Sequence, residues 1–171
     1  ARDTFSVLKE KKVSLSKKAF AVGVRIEHLQ ENINKCQFGK EYKNKKLKAA
    51  EYALTHVTKD GRGVYTFCMC PGGEVVLASS EKGRLCTNGM SYSDRGDVNA
   101  NSAVLVQVKE SDIKSDDPLS GIYFQRELEE KAFVLGGSNY NAPVQLLKDF
   151  FENKASENLE EIKSSIKPGF K

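Results

Sequence analysis

Between residues 51 and 108 the chain is cut into short apolar runs by glycine-bearing turns, and no other feature restricts the fold as much. EYALTHVT alternates, KDGRG turns, VYTFCMC extends, PGG turns, EVVLASS extends, EKG turns, RLCTNG extends, and SAVLVQVKE extends again after a polar loop. A parallel crossover needs roughly a dozen residues or more between strands, so these short connections imply antiparallel pairing, three of the runs forming a meander. Upstream, AFAVGVRIEH sets Phe20, Val22, Val24 and Ile26 on one face and Ala21, Gly23, Arg25 and Glu27 on the other, the period of a half-buried strand. Strands near residues 19–27, 51–58, 63–70, 74–80, 84–88 and 102–108 are expected in one largely antiparallel sheet. Phe20, Val22, Val24, Ile26, Val76, Val104 and Val106 should be mostly buried.

Helical patterns flank this region. ARDTFSVLKEKKV offers Asp3 or Thr4 as an N-cap, and LQENINKCQFG places Leu29, Ile33 and Cys36 at helical spacing before a closing Gly39. After SDDP come PLSGIYFQRELEEKAFVLGG, then APVQLLKDFFEN with Pro143 in its first turn, then the more polar SENLEEIKSSI. The fold class is therefore α+β, a mostly antiparallel sheet of about six strands with helices mainly at the C-terminal end.

Composition narrows the class of protein. A chain of 171 residues, 39% hydrophobic and 29% charged, suits one soluble domain over residues 1–171. The net charge of +4 permits an anionic ligand without demanding nucleic acid. The lysine-rich KEYKNKKLK of residues 40–48 reads as a solvated loop or an anion-binding patch. No apolar run approaches the roughly 20 residues of a membrane span, and no cleavable signal opens the chain, so a cytoplasmic protein is expected. Cys36, Cys68, Cys70 and Cys86 read as reduced thiols. No metal is expected: Cys68, Cys70, Cys86, His28 and His56 have suitable donor types, but the single residue between Cys68 and Cys70 is unlike zinc-ligand spacing. The chain has no G-x-G-x-x-G after a strand, no P-loop, no H-E-x-x-H and no G-x-S-x-G.

The stretch FCMCPGGEVVLASS is the least ordinary punctuation in the chain. On an extended strand Cys68 and Cys70 share one face and Met69 takes the other, so both thiols are in the core or both are at a site. Pro71, Gly72 and Gly73 can turn tightly and approach a flat ligand closely. Arg62, in KDGRG, is an exposed turn residue or an anion contact. TNGMSYSDRGDVNANS is a long polar segment in which Asn88, Ser91, Tyr92, Arg95 and Asn99 hydrogen-bond a ligand or cap turns. His28 suits a local structural hydrogen bond, and Arg25 and Glu27 a cross-strand ion pair.

Together AFAVGVRIEH, DGRGVYTFCMCPGGEVVLASSEKGRLCTNGMSYSDR, NANSAVLVQV and FQRELEEKAFVLGGSNYNAPVQLLKDF resemble a bacterial family of FAD-dependent oxidoreductases, the NAD(FAD)-utilising dehydrogenases, over nearly the whole chain. The resemblance implies an inserted or cap domain excised from a longer protein, an expectation in keeping with Ala1 standing where an initiator methionine would. FAD would be held by the full-length protein and not by this fragment alone. The implied partners are the FAD-binding domain of the same chain and an unassigned small-molecule substrate, with no nucleic acid and no membrane. Cys68 and Cys70 become catalytic candidates, and Arg62, Pro71, Gly72, Gly73, Asn88, Ser91 and Arg95 cofactor-binding or substrate-facing ones. The turn from Cys70 to Gly73 is then expected at an open surface that covers flavin or substrate, with Gly72→Val sparing the fold. The alternative is a non-catalytic interaction module using the sheet and the lysine-rich loop.

Overall fold

Antiparallel pairing dominates, as the turn spacing requires. The computed structural model describes residues 2–159 and 162–170. In chain order the elements are α1 (Arg2–Glu10), β1 (Phe20–Leu29), α2 (Gln30–Phe38), β2 (Thr55–Val57), β3 (Gly63–Cys70), β4 (Gly73–Leu77), β5 (Thr87–Ser91), β6 (Asn99–Val108), α3 (Ser120–Leu135), β7 (Ala142–Pro143), α4 (Leu147–Phe151) and β8 (Pro168–Gly169). The fold is α+β. Its main sheet has the order β1-β6-β3-β2, antiparallel throughout, with β1 and β6 paired over their full ten residues from Phe20↔Val108 to Leu29↔Asn99.

The expectation of one six-stranded sheet with an internal meander is corrected. β4 and β5 form a separate hairpin, and β7 and β8 a short parallel pair. The cause lies at the end of β3, whose pairing with β6 jumps from Phe67↔Ala103 to Cys70↔Asn101. Three steps on β3 oppose two on β6, a β-bulge that bends the strand, and the turn that follows takes β4 out of the sheet. The hairpin comes to lie against β6 and β3.

Burial also departs from the simple alternation. Phe20, Val22, Ile26, Val76, Val104 and Val106 are half-buried, and Val24 is 67% exposed. The helices do not blanket that face: α3 meets the sheet at its Phe20 end, where the Phe20 and Phe124 rings lie 6.0 Å apart edge to face and Gly121 leaves room for Phe20. α2 forms and is closed by Gly39 at φ 56°, but the residue it buries is Gln30, while Leu29 and Cys36 are exposed. Pro143 lies in β7 and not in a first helical turn, and α4 is only five residues long. The helix expected over SENLEEIKSSI is absent from its described residues; Glu160 and Glu161 lie outside them.

An arginine-carboxylate cluster ties the helices to the β4–β5 connection. Glu81 receives Arg2 at 2.8 Å, Arg84 at 3.1 Å and Arg126 at 2.5 Å, and Arg2 also binds Glu129 at 2.6 Å. Hydrogen bonding from Arg126, and then from Arg2, holds the Glu81 carboxyl at about 2 against an ordinary 4.5, despite an opposing desolvation. A carboxylate whose folded pKa lies below its unfolded value stabilises the fold above the unfolded value and loses that contribution as pH falls through the folded one. Glu81→Gln should therefore lower the melting temperature at neutral pH. Melting curves across the acid range should show the gap from wild type closing as pH falls from 4.5 to about 2. A gap independent of pH would show that the ion cluster contributes nothing as charge.

Candidate functional site

The bulge at the end of β3 gathers the polar chemistry of the sheet around Arg25. Arg25, Ala103 and Phe67 are directly opposed across β1, β6 and β3, so their side chains share one face. Beyond Phe67, Cys68 has a φ of 49°, in the left-handed region, at a cost of about 1–2 kcal/mol for a residue with a Cβ. Its carbonyl accepts from Arg25 Nη1 at 3.2 Å and from Cys70 Sγ at 3.3 Å. Arg25 Nη1 also donates to Asn101 Oδ1 and lies 3.9 Å from Cys70 Sγ, while Nη2 donates to Asn88 Oδ1 at 3.3 Å. Gly89 makes the arrangement possible: a Cβ there would lie 2.2 Å from Arg25 Nη1 and 2.1 Å from Asn101 Oδ1.

Charge sets Arg25 apart. Arg2, Arg62, Arg84, Arg95 and Arg126 each reach a carboxylate. Among the described residues Arg25 has none: its partners are a carbonyl, a thiol and two amides. Asn101, which helps to hold it, is fully buried, and its Nδ2 is without a partner. Arg25 and Glu27 do not form the expected ion pair. Glu27 instead accepts from Asn99 Nδ2 at 3.0 Å, from Ser164 Oγ at 2.5 Å and from the backbone N–H and hydroxyl of Ser165, which fixes the C-terminal segment to β1.

The two thiols do not share one environment, because the bulge turns the strand between them: Cys68 is exposed and Cys70 buried. Burial pushes the Cys70 thiol up, and the neighbouring Cys68 adds to this against an opposing effect of Arg25, so Cys70 is a protonated thiol at neutral pH. Pro71, Gly72 and Gly73 are buried, which corrects the expectation of a turn open to a partner. Gly72 N–H donates to Gln30 Oε1 at 2.7 Å, Ser91 Oγ donates to the Pro71 carbonyl at 2.8 Å, and Gly73 pairs with Ser91 in the hairpin. These residues hold the bulge from behind.

Arg62 and Arg95 stand elsewhere. Arg62, at the far end of β3, binds Asp112 at 2.6 and 3.0 Å and the Gln107 carbonyl at 2.6 Å. Arg95 lies 3.5 Å from Glu51 and borders a groove with Tyr42, Lys48 and Asp97. On the other face of the sheet His28 Nε2 meets Tyr52 Oη at 2.8 Å, a structural bond as expected but to a residue distant in sequence and not a local one; burial lowers the pKa of His28 and raises that of Tyr52, so both are neutral near pH 7. Sequence reasoning missed Arg25 and Asn101 as site residues. Alternation carried no signal for Asn101, which shares the face of Ala103 and Leu105 and not that of Val104, Val106 and Val108.

The family of the chain follows from comparison with known proteins. It belongs to the family described as FAD-dependent protein, C-terminal domain-like, which matches residues 19–171. It is similar to an "Uncharacterized protein" of Clostridium beijerinckii, 53% identical over 171 residues, a match that covers 99% of this chain and 32% of that protein. The chain thus spans about a third of the length of this relative.

FAD can be tested against the residues present. A dinucleotide pyrophosphate needs a glycine turn opening onto a helix N-terminus. The strand-to-helix junction here, His28-Leu29-Gln30, has no glycine, and the Gln30 N–H is already bonded to the Val98 carbonyl at 2.9 Å. The junction does not fit the pyrophosphate. The Arg25 face does fit a wall beside a flat ring, with Phe67 60% exposed, Cys68 exposed and donor groups at its margin. No helix among the described residues is long and apolar enough to cross a membrane.

Proposed function

We propose that this chain is the substrate-side domain of a cytoplasmic FAD-dependent dehydrogenase, and that the sheet face around Arg25, Phe67 and Cys68 lines the pocket over the flavin of the whole protein. The observation that carries the reading is a guanidinium without a carboxylate, held at a strained bulge on the same sheet face as an exposed aromatic ring, in a domain of an FAD-dependent family. The amount of open surface supports it. The chain exposes 11983 Å², against about 8,400 Å² for a compact monomer of its mass. The exposed side chains include Val24, Leu54, Val57 and Phe67 of the main sheet and its β2 approach, which a further part of the protein would cover.

FAD, when bound in the whole protein, supplies the two-electron chemistry. The residues of this domain would position substrate: Arg25 offers hydrogen bonds, Phe67 excludes water, and Gly89 with Asn101 keeps the guanidinium in place. Pro71, Gly72 and Gly73 serve the site by holding the bulge, and Cys68 is the one thiol of its pair presented to a ligand. The isolated domain, without the dinucleotide fingerprint, would be inactive.

Tryptophan quenches flavin emission only at close range, so position 67 can report the geometry. Phe67→Trp in the FAD-loaded full-length protein should lower flavin fluorescence several-fold, whereas Phe151→Trp, also at an exposed position, should not. Equal emission from both variants would remove Phe67 from the flavin's neighbourhood.

A further inference from the structure

We infer that Arg25 is the binding residue for a carboxylate of the substrate, with the adjoining apolar part of that substrate lying over Ala103 toward Phe67; this rests on the pocket proposed above. Nη1 is occupied by Asn101 Oδ1, the Cys68 carbonyl and Cys70 Sγ, and one Nη2 hydrogen by Asn88 Oδ1. Nε has no protein partner among the described residues and is not shut away from solvent. Nε–H and one Nη2–H lie parallel along one edge of a guanidinium, and this is the edge that takes a carboxylate with two hydrogen bonds. The protein thus fixes the ring plane through Nη1 and Asn88 and leaves Nε–H and one Nη2 hydrogen for a ligand.

Two further observations select the ligand. Arg25 is the only charged member of the cluster, so one positive charge stands ready for one negative charge, which matches a carboxylate better than a doubly charged phosphate. The cross-strand row runs from Arg25 through the small Ala103 to Phe67, which is 60% exposed. With strands about 4.8 Å apart, the row spans roughly 10 Å. An anionic head at one end and a flat apolar body at the other describe an aromatic or similarly apolar carboxylic acid.

The test uses the FAD-loaded full-length protein and 2,3-butanedione, which modifies guanidinium groups, with each arginine followed by peptide mass spectrometry. Benzoate should slow modification of Arg25 and leave Arg95, paired with Glu51, unchanged. At about nine times its dissociation constant the slowing should be about tenfold by mass action. In Phe67→Ala more benzoate should be needed for the same protection. Protection by inorganic phosphate but not benzoate would overturn the carboxylate assignment. So would an Arg25 that resists modification both with and without FAD, since its open edge would then be taken by the rest of the chain. Neither result bears on whether position 67 lies near flavin, which the fluorescence comparison decides separately.

Discussion

Gly72→Val is expected to destabilise the domain severely and not to act only by slowing flavin turnover. Gly72 has a φ of 47°, which a β-branched residue resists, and a Cβ at this position would stand 1.8 Å from the Arg95 carbonyl oxygen and 2.3 Å from its carbon. Both obstacles are backbone, so no rotamer change relieves them. The same residue donates its buried N–H to Gln30 Oε1, and Gln30 in turn donates to Asn34 Oδ1 at 2.8 Å and to the Ala50 carbonyl at 2.9 Å. A shift of the turn therefore breaks the tie between the hairpin, α2 and the segment around Ala50. The cost should be about 4 kcal/mol or more, a value reserved for clashes and broken buried networks. At that cost the melting temperature should fall by roughly 10 °C in a domain of this size. Differential scanning calorimetry of wild type, Gly72→Ala and Gly72→Val measures it, with alanine already severe because its Cβ meets the same carbonyl. A Gly72→Val protein that melts like wild type would mean that the turn is as open as the sequence alone suggested.

The part of the fold legible in the sequence was the part governed by local rules. Alternation located β1 and β6, whose ten-residue pairing follows from Phe20–Ile26 and Ala103–Val108, and Gly39 marked the end of α2. What escaped was decided by long-range packing. The extra residue in β3 has no local signature in FCMC, so neither the detached hairpin nor the separation of Cys68 from Cys70 could be read there. Gln30, Asn101 and Ser102 are buried polar groups, invisible to patterns that equate interior with apolar. Apolar periodicity in QLLKDFFEN suggested a longer helix than Leu147–Phe151, and Leu147, Phe150 and Phe151 stay largely exposed. The glycine turn was singled out for its freedom of backbone, yet that freedom is used for packing inside the domain.

The site was legible only in part for a related reason. Asn88, Cys68 and Cys70 were singled out as polar or reactive residues, and the structure brings them together at the bulge. Arg25 occupied the less apolar face of an alternating strand, where an arginine ordinarily points to water or pairs with a neighbour, and nothing local distinguishes it from such a residue. Its role depends on Gly89 and Asn101, which are distant in sequence and come together only when the hairpin lies against β6 and β3.

The central claim is that the Phe67–Cys68 end of β3 faces the flavin pocket of the whole protein, and the thiol at position 68 offers the most direct measurement. Cys68 and Cys36 are both exposed on this domain, while Cys70 is buried, so Cys36 on α2 is an internal reference for accessibility. The full-length protein, with FAD bound and after its removal, is treated with iodoacetamide, and the alkylation rate of each cysteine is read by peptide mass spectrometry. With FAD removed, Cys68 should react at a rate comparable to Cys36; with FAD bound, it should react many-fold more slowly while Cys36 is unchanged. A ratio of Cys68 to Cys36 reactivity that is the same in both forms would contradict the account, because the β3 bulge would then lie away from the flavin.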